Sequence, residues 1–152
     1  MNEIKLKPIG YVLSSVTEQM DENWGEIESK IILYPEYAGA LTGLENFSHA
    51  IILTYLHQAH YKKEKHLQRR PRNLKTMPKV GIFSQRAKDR PNSIGVTSVE
   101  IISVGDDYLE IKGLDAINET PILDIKPYYP QYDRIESPKI PEWVGRLMKY
   151  YF

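Results

Sequence analysis

Short alternating runs, and no long helical ones, limit what this chain can fold into. Tyr108-Leu-Glu-Ile-Lys-Gly-Leu114 alternates apolar and polar side chains, the period-two pattern of a strand with one buried face. Glu26–Leu33 repeats the pattern through Ile27, Ile31 and Leu33, and His49–Leu56 reads as a buried strand by its length and β-branched content. Ile4–Leu13, whose Pro8 suits an edge or a bulge, joins Lys79–Ser84, Val96–Val104 and Thr120–Ile125 as further strands. Gly105-Asp-Asp107 between two of these runs predicts a hairpin. Pro35–Glu45 is predicted as a short helix with Pro35 in its first turn, and Trp143–Phe152 as another. Lys62–Pro78 has no apolar period and reads as a long loop, the kind that in a compact chain signals a site. Five of the ten prolines fall between Pro121 and Pro141, so an irregular, extended path is expected there. Six or seven strands at this spacing predict an all-β barrel or an α+β domain dominated by an antiparallel sheet.

A chain of 152 residues builds one hydrophobic core, hence one domain. With no cysteine, disulfide frameworks, thiol catalysis and cysteine-based zinc sites are excluded. The longest apolar stretch, Ala50–Leu56, is far short of a membrane span, and the opening residues lack the layout of a secretory signal. A cytoplasmic protein with no membrane partner is expected.

A net charge of zero conceals an asymmetry. Between Lys62 and Arg90 eleven basic residues face two acidic ones, a net of +9, and the rest of the chain carries −9. A block of this kind sets up a positive field that attracts polyanions, whereas evenly mixed charge on an acidic body repels nucleic acid. RNA contact is therefore expected from Arg69, Arg70, Arg72 and Lys75, with a solvated basic loop as the alternative.

Several common chemistries lack their motifs. No two glycines are separated by a single residue, so there is no Gly-x-Gly cradle for a dinucleotide or a doubly wound methyltransferase. The P-loop and the nucleophile elbow are absent as well. His57-Gln-Ala-His60 lacks a carboxylate at metalloenzyme spacing, so no metal is expected. Two clusters remain. In Gly81-Ile-Phe-Ser-Gln-Arg-Ala-Lys-Asp-Arg-Pro-Asn-Ser-Ile-Gly95, Arg86, Arg90 and Asn92 are bracketed by turn residues. Their planar guanidinium forks and amide suit carboxylate or phosphate, or else they cap carbonyls in a turn. Leu114–Asp133 combines Asp115, Glu119 and Asp124 with Lys126 and three tyrosines, a set able to hold ribose hydroxyls and stack on a base.

The first cluster resembles the signature of the TsaA/TrmO-like family, Gly-Val/Ile-Phe-x-x-Arg-x-x-x-Arg-Pro-Asn-x-Ile-Gly. The second resembles its companion, Leu-Asp-x-x-x-x-Thr-Pro-x-x-Asp-Ile-Lys-Pro-Tyr-x-Pro. Gly43-Leu-Glu-Asn-Phe-Ser-His49, His57-Gln58 and Pro8-Ile-Gly10 also look like family segments, in the right order from about residue 6 to 133. The resemblance implies a mainly β (α+β), single-sheeted antiparallel barrel with a few short helices over residues 1–135. Residues 136–152 would form a tail or short helix packed on the barrel or on a dimer partner.

It also implies an S-adenosylmethionine-dependent enzyme, a homodimer, that methylates N6 of threonylcarbamoyladenosine beside the tRNA anticodon. Carried residue by residue, cofactor contacts fall to His57, Gln58, Arg86, Val96, Asn118, Glu119, Thr120 and Pro121. Arg90 and Asn92 shape the site or touch the substrate. A base or hydrogen-bond acceptor would assist the poorly nucleophilic carbamoylated nitrogen, with Asp115, Asp124 and His57 as the candidates. Ser93 stands where the family usually has a second proline, and Asn118-Glu119 replaces its usual Asp-Gly. The loop Asp21–Gly25 is short and lacks the family's Arg-Gln-Pro, and the further C-terminal domain of longer members has no counterpart in these 152 residues. These departures leave two alternatives open: the same barrel methylating another RNA or a small molecule, or a non-catalytic cofactor- or RNA-binding module.

Overall fold

In a computed structural model, which describes residues 2–152, the chain forms eight strands. They are β1 (Gly10–Leu13), β2 (Glu28–Leu33), β3 (His49–Tyr55), β4 (Gln68–Arg69), β5 (Val80–Gly81), β6 (Ile94–Val104), β7 (Tyr108–Lys112) and β8 (Pro121–Pro127). Six of them close an antiparallel barrel in the order β1-β2-β7-β6-β3-β8, and β4 and β5 make a separate two-stranded ribbon. The expected barrel is the observed one.

Alternation explains the closure. Along β2, β3 and β7 every second residue is buried, and these positions meet in one core with Val12, Ile31, Ala50, Ile52, Val99, Leu109, Ile111 and Ile122. A one-residue slip of any strand would turn its apolar set to solvent, so the pattern holds the register. Leu41 and Leu44 plug the end of the barrel near Leu33, and Leu114 and Ala116 cover the other. The register shifts on β3 between Leu53 and Thr54, and on β6 between Ile101 and Ser103, mark bulges that bend the sheet into a closed form.

Departures from the expected elements have local causes. Pro35–Glu45 is two separate 3-10 turns, Pro35–Tyr37 and Leu44–Asn46, instead of a helix. Gly39 and Gly43 take φ of 85° and 92°, left-handed values that stop a right-handed helix from propagating. The expected strand Lys79–Ser84 contracts to β5, because Ile82–Ser84 turns away in a 3-10 bend. The expected loop Lys62–Pro78 carries α1 (Lys63–His66) and β4, and with β5 it folds into a lobe whose own small core is Pro71, Met77 and Ile82. Ile4–Leu13 is strand only from Gly10 onward. Within the proline-rich stretch, β8 runs regularly to Pro127 and α2 (Pro130–Asp133) follows it. The terminal helix is α3 (Glu142–Met148), after which Tyr150 and Tyr151 turn back onto the loop before β2 through Asn23 N–H to Tyr150 O and Trp24 N–H to Tyr151 O, both 2.8 Å. Among the described residues no helix is long and apolar enough to cross a membrane.

Strand β1 is the narrow point of the closure, pairing along four residues with β2 and two with β8. A methyl group at Gly10 would overlap the Ile32 carbonyl oxygen, which is backbone and cannot move aside. Gly10→Ala is expected to destabilise the protein by at least about 1–3 kcal/mol, the usual cost of overpacking, measured by urea unfolding with an unchanged m-value.

Candidate active site

The two ends of the barrel carry different cavities. Where β3 and β7 finish and β6 and β8 begin, a narrow cleft of about 30 Å³ is walled by Leu56, His57, Gln58 and Ala59, by Asp115–Ile117 and Thr120, by Gln19 and Trp24, and by Lys88. At the opposite end a wider cavity of about 450 Å³ is lined mostly by apolar side chains, with Asp124 at its edge. The structure thus brings His57, Gln58, Asp115 and Thr120 together and leaves Asp124 on the far side of the core.

The three base candidates stand in different surroundings. Both oxygens of Asp115 are occupied: Thr97 Oγ1 donates to Oδ1, and the Tyr151 hydroxyl donates to Oδ2 at 2.5 Å. Burial, together with the adjacent Asp115 charge, pushes the Tyr151 hydroxyl far above its ordinary range, so it remains a proton donor in this contact. Asp124 pairs with Lys126 at 2.7 Å and accepts from the Ile125 N–H at 2.9 Å. His57, half-buried in the cleft wall, makes no side-chain hydrogen bond among the described residues, and so keeps a ring nitrogen free for a proton.

The turn Asn118–Pro121 is bolted to the segment after β1. Asn118 N–H donates to Val16 O at 2.7 Å, its side-chain oxygen accepts from Ser14 N–H at 2.9 Å, and Glu119 N–H donates to Val12 O at 2.7 Å. Thr120 is buried and its hydroxyl closes on Ile117 O at 2.7 Å. Arg86 donates to Val96 O at 2.9 Å on the outer wall of the barrel, one residue from the Thr97 that holds Asp115. Around Val96 the outer face is apolar and open: Val96 is 44% exposed, Tyr55 45% and Ile94 39%.

Several arginines of the basic lobe are held by contacts within it. Arg69 lies 3.6 Å from Asp89, which also receives the His60 N–H at 2.9 Å and sits 3.9 Å from the His66 ring. Arg70 donates to Met77 O, and Arg90 to Gln85 O at 2.9 Å and Ala87 O at 3.2 Å. Buried Gln85 ties the ribbon together through Arg69 O and Val80 O, both at 3.2 Å. Arg72 stands 3.7 Å from Asp21, with its guanidinium 5.8 Å from the centre of the Tyr151 ring. Of the residues expected to meet RNA, Arg70, Lys75 and Asn92 are exposed, and Arg69, Arg72 and Arg90 are half-buried. Lys62, Lys63, Lys65 and Lys79 are exposed alongside them, as is Phe83 at 80%. The sequence alone does not single out Thr97 or Tyr151, and marks Trp24 only as a departure from the family pattern in the loop Asp21–Gly25. A polar residue at an inward position of β6 and a tryptophan in a polar loop were visible signals for Thr97 and Trp24; Tyr151 offered none.

The model of the tRNA-methyltransferase O N-terminal domain matches residues 18–134. The chain belongs to the tRNA-methyltransferase O family. It is 38% identical over 137 residues to a probable S-adenosyl-L-methionine-binding protein of Methanothermobacter thermautotrophicus, covering 88% of this chain and 96% of that one. It is 39% identical over 107 residues to the human tRNA (adenine(37)-N6)-methyltransferase, covering 70% of this chain and 23% of the human protein. A crystal structure of TrmO from Pseudomonas aeruginosa superposes with a TM-score of 0.76 at 30% identity, over 94% of this chain and 62% of that one. The chain therefore spans less than two thirds of that solved relative.

Membership gives two of the departures a structural meaning. Glu119 takes φ 66°, a left-handed conformation that glycine adopts freely and a residue with a Cβ adopts at a cost of about 1–2 kcal/mol. The backbone keeps the turn that the family's glycine provides, and the extra carboxylate faces solvent. Ser93 takes φ 48°, its N–H donates to Arg90 O at 3.1 Å, and its carbonyl receives Leu56 N–H at 2.8 Å. Proline is locked near φ −65° and has no N–H. Ser93→Pro, although it restores the family's residue, is expected to destabilise this protein by more than about 1 kcal/mol, read as a lower Tm by calorimetry.

Proposed function

We propose that the protein is an S-adenosylmethionine-dependent methyltransferase acting on N6 of threonylcarbamoyladenosine in the tRNA anticodon loop. The observation that carries this reading is the meeting of His57, Gln58, Asp115 and Thr120 in one cleft whose wall also includes Lys88 of the basic lobe. The donor set suits the cofactor: an amide, an imidazole, a hydroxyl and a carboxylate above an apolar wall of Trp24, Leu56 and Ile117. Because the cleft is narrow, a ligand of nucleoside size rests across its mouth, toward Asn118, Glu119, Pro121, Arg86 and Val96. The exposed apolar row Tyr55, Ile94 and Val96 beside that mouth supports a homodimer in which a second copy would cover it. A tRNA substrate supports a cytoplasmic protein.

When bound, S-adenosylmethionine supplies a methyl group already activated on a sulfonium. The protein's own work is alignment and proton removal. The bolted turn Asn118–Pro121 and the cleft wall would hold the cofactor and orient it toward the acceptor, and such positioning supplies much of the rate. His57 accepts the proton released from N6 as the nitrogen acquires its methyl group, since it is the candidate in the cleft with a free ring nitrogen. Asp115, held by two hydroxyls, orients ligand groups, and Asp124 has no part in the step.

Exposed lysines and Phe83 form the surface that meets RNA, with phosphates on the lysines and an unpaired base on the aromatic ring. Exposed Arg70 belongs to the same surface, and half-buried Arg69, Arg72 and Arg90 support it. Neutralising Lys62, Lys63 and Lys65 to glutamine is expected to reduce the slope of log affinity against log salt by about 0.7 for each phosphate contact removed, measured by filter binding. An unchanged slope would take the RNA away from this lobe.

The decisive experiment incubates the protein with labelled S-adenosylmethionine and tRNA from cells with and without the threonylcarbamoyl modification, followed by nucleoside mass spectrometry. Methyl transfer confined to the modified tRNA is the expected outcome. Cofactor binding by calorimetry with no methyl in any RNA would overturn the substrate and favour the non-catalytic or small-molecule alternatives.

A further inference from the structure

We infer that Tyr151 is a positioning residue for the methyl-transfer cleft, and that the segment Tyr150–Phe152 clamps that cleft to the basic lobe. The inference rests on the methyltransferase reading of the cleft. It concerns residues beyond the family match, which ends at residue 134.

The segment touches three separate walls. Its hydroxyl contact is the 2.5 Å bond from Tyr151 to Asp115 Oδ2, opposite the Thr97 hydroxyl on Oδ1. Its backbone receives the N–H groups of Asn23 and Trp24, both at 2.8 Å, and Trp24 is itself a wall of the cleft. At Gly25 the approach is so close that a Cβ would lie 2.6 Å from the Phe152 carbonyl carbon, so the loop needs glycine for the tail to dock. On the third side, Arg72 of the lobe lies over the Tyr151 ring at 5.8 Å, within cation–π range.

A carboxylate at the edge of a cleft rotates freely unless both oxygens are held. Thr97 alone fixes one of them, and the second bond sets the plane of the group. Positional errors near one ångström at such a group carry large penalties in binding and rate. Tyr151 also spans the two halves of the site, since one side chain contacts the acid of the cleft with its hydroxyl and the lobe's guanidinium with its ring. Residues that meet RNA on the lobe and residues that meet the cofactor are thereby held in one frame.

Two substitutions separate these contacts. Tyr151→Phe keeps the ring under Arg72 and removes the bond to Asp115; Tyr151→Leu removes both. At a temperature where circular dichroism shows each variant fully folded, Tyr151→Phe is expected to weaken S-adenosylmethionine binding by calorimetry, or to lower kcat, by about tenfold, with the KM for tRNA unchanged. Tyr151→Leu should add a several-fold rise in the KM for tRNA, and Arg72→Gln should reproduce that second effect alone if the leucine variant fails to fold. A Tyr151→Phe protein with a lowered Tm but wild-type cofactor affinity and kcat would reduce Tyr151 to a structural residue and overturn the inference. If the wild-type protein binds the cofactor but methylates no tRNA, the substrate reading fails by itself, and the cofactor affinity of Tyr151→Phe still decides the role of Tyr151. A wild-type protein that does not bind S-adenosylmethionine would overturn both.

Discussion

Barrel closure through β1 is the constraint on which the rest of the structure depends. Four residues bridge β2 and β8, and with them the sheet loses its free edges and its inner face becomes a sealed core. Residues that reach the barrel ends are held there by a rigid wall, so loops that share no sequence neighbourhood meet at a fixed distance. The segment after β3, the turn between β7 and β8, and the loop before β2 converge on one end because β3 and β7 finish and β2 and β8 begin at that end.

The same closure separates two kinds of opening. The far end is wide and apolar, and its one lining carboxylate, Asp124, is already paired with Lys126. The near end is narrow, polar on one side and apolar on the other, and bordered by the positive lobe. Chemistry that combines a sulfonium cofactor with a polyanionic substrate calls for this second arrangement: a carboxylate and acceptor groups within the cleft, and cations beyond its rim. The acidic body and the basic lobe balance to zero net charge while keeping the two fields apart.

Inside the lobe, charge is both scaffold and surface. Arginine forks suit carbonyls and carboxylates in fixed directions, and Arg69, Arg70 and Arg90 each hold such a partner within the lobe, Arg70 from an exposed position. Lys62, Lys63, Lys65, Lys75 and Lys79, with mobile stems and strongly hydrated ends, are exposed. A count of basic residues gives the net charge of the lobe but not which of its cations are already paired, because that depends on contacts formed by the fold.

The strands, and a barrel or antiparallel-sheet class, are legible in the sequence because they depend on period-two alternation within a strand, and the family resemblance marks His57, Gln58 and Thr120, which line the near cleft, through motifs of consecutive residues. The helix expected over Pro35–Glu45 does not form, since two left-handed glycines break it, and the fold of the basic lobe is not legible, since its order comes from long-range bonds to Asp89 and Gln85. Asp124 and Asp115 look equivalent in one motif, yet the fold puts Asp115 in the near cleft and Asp124 midway along β8, where it lines the opposite cavity. Tyr151 reaches Asp115 across 36 positions of sequence, a distance over which no local pattern operates. By itself the sequence determined which faces are buried and where the chemistry-bearing residues lie along the chain. Only the closed tertiary structure decided which of them share a cleft, because that depends on where each strand ends on the barrel.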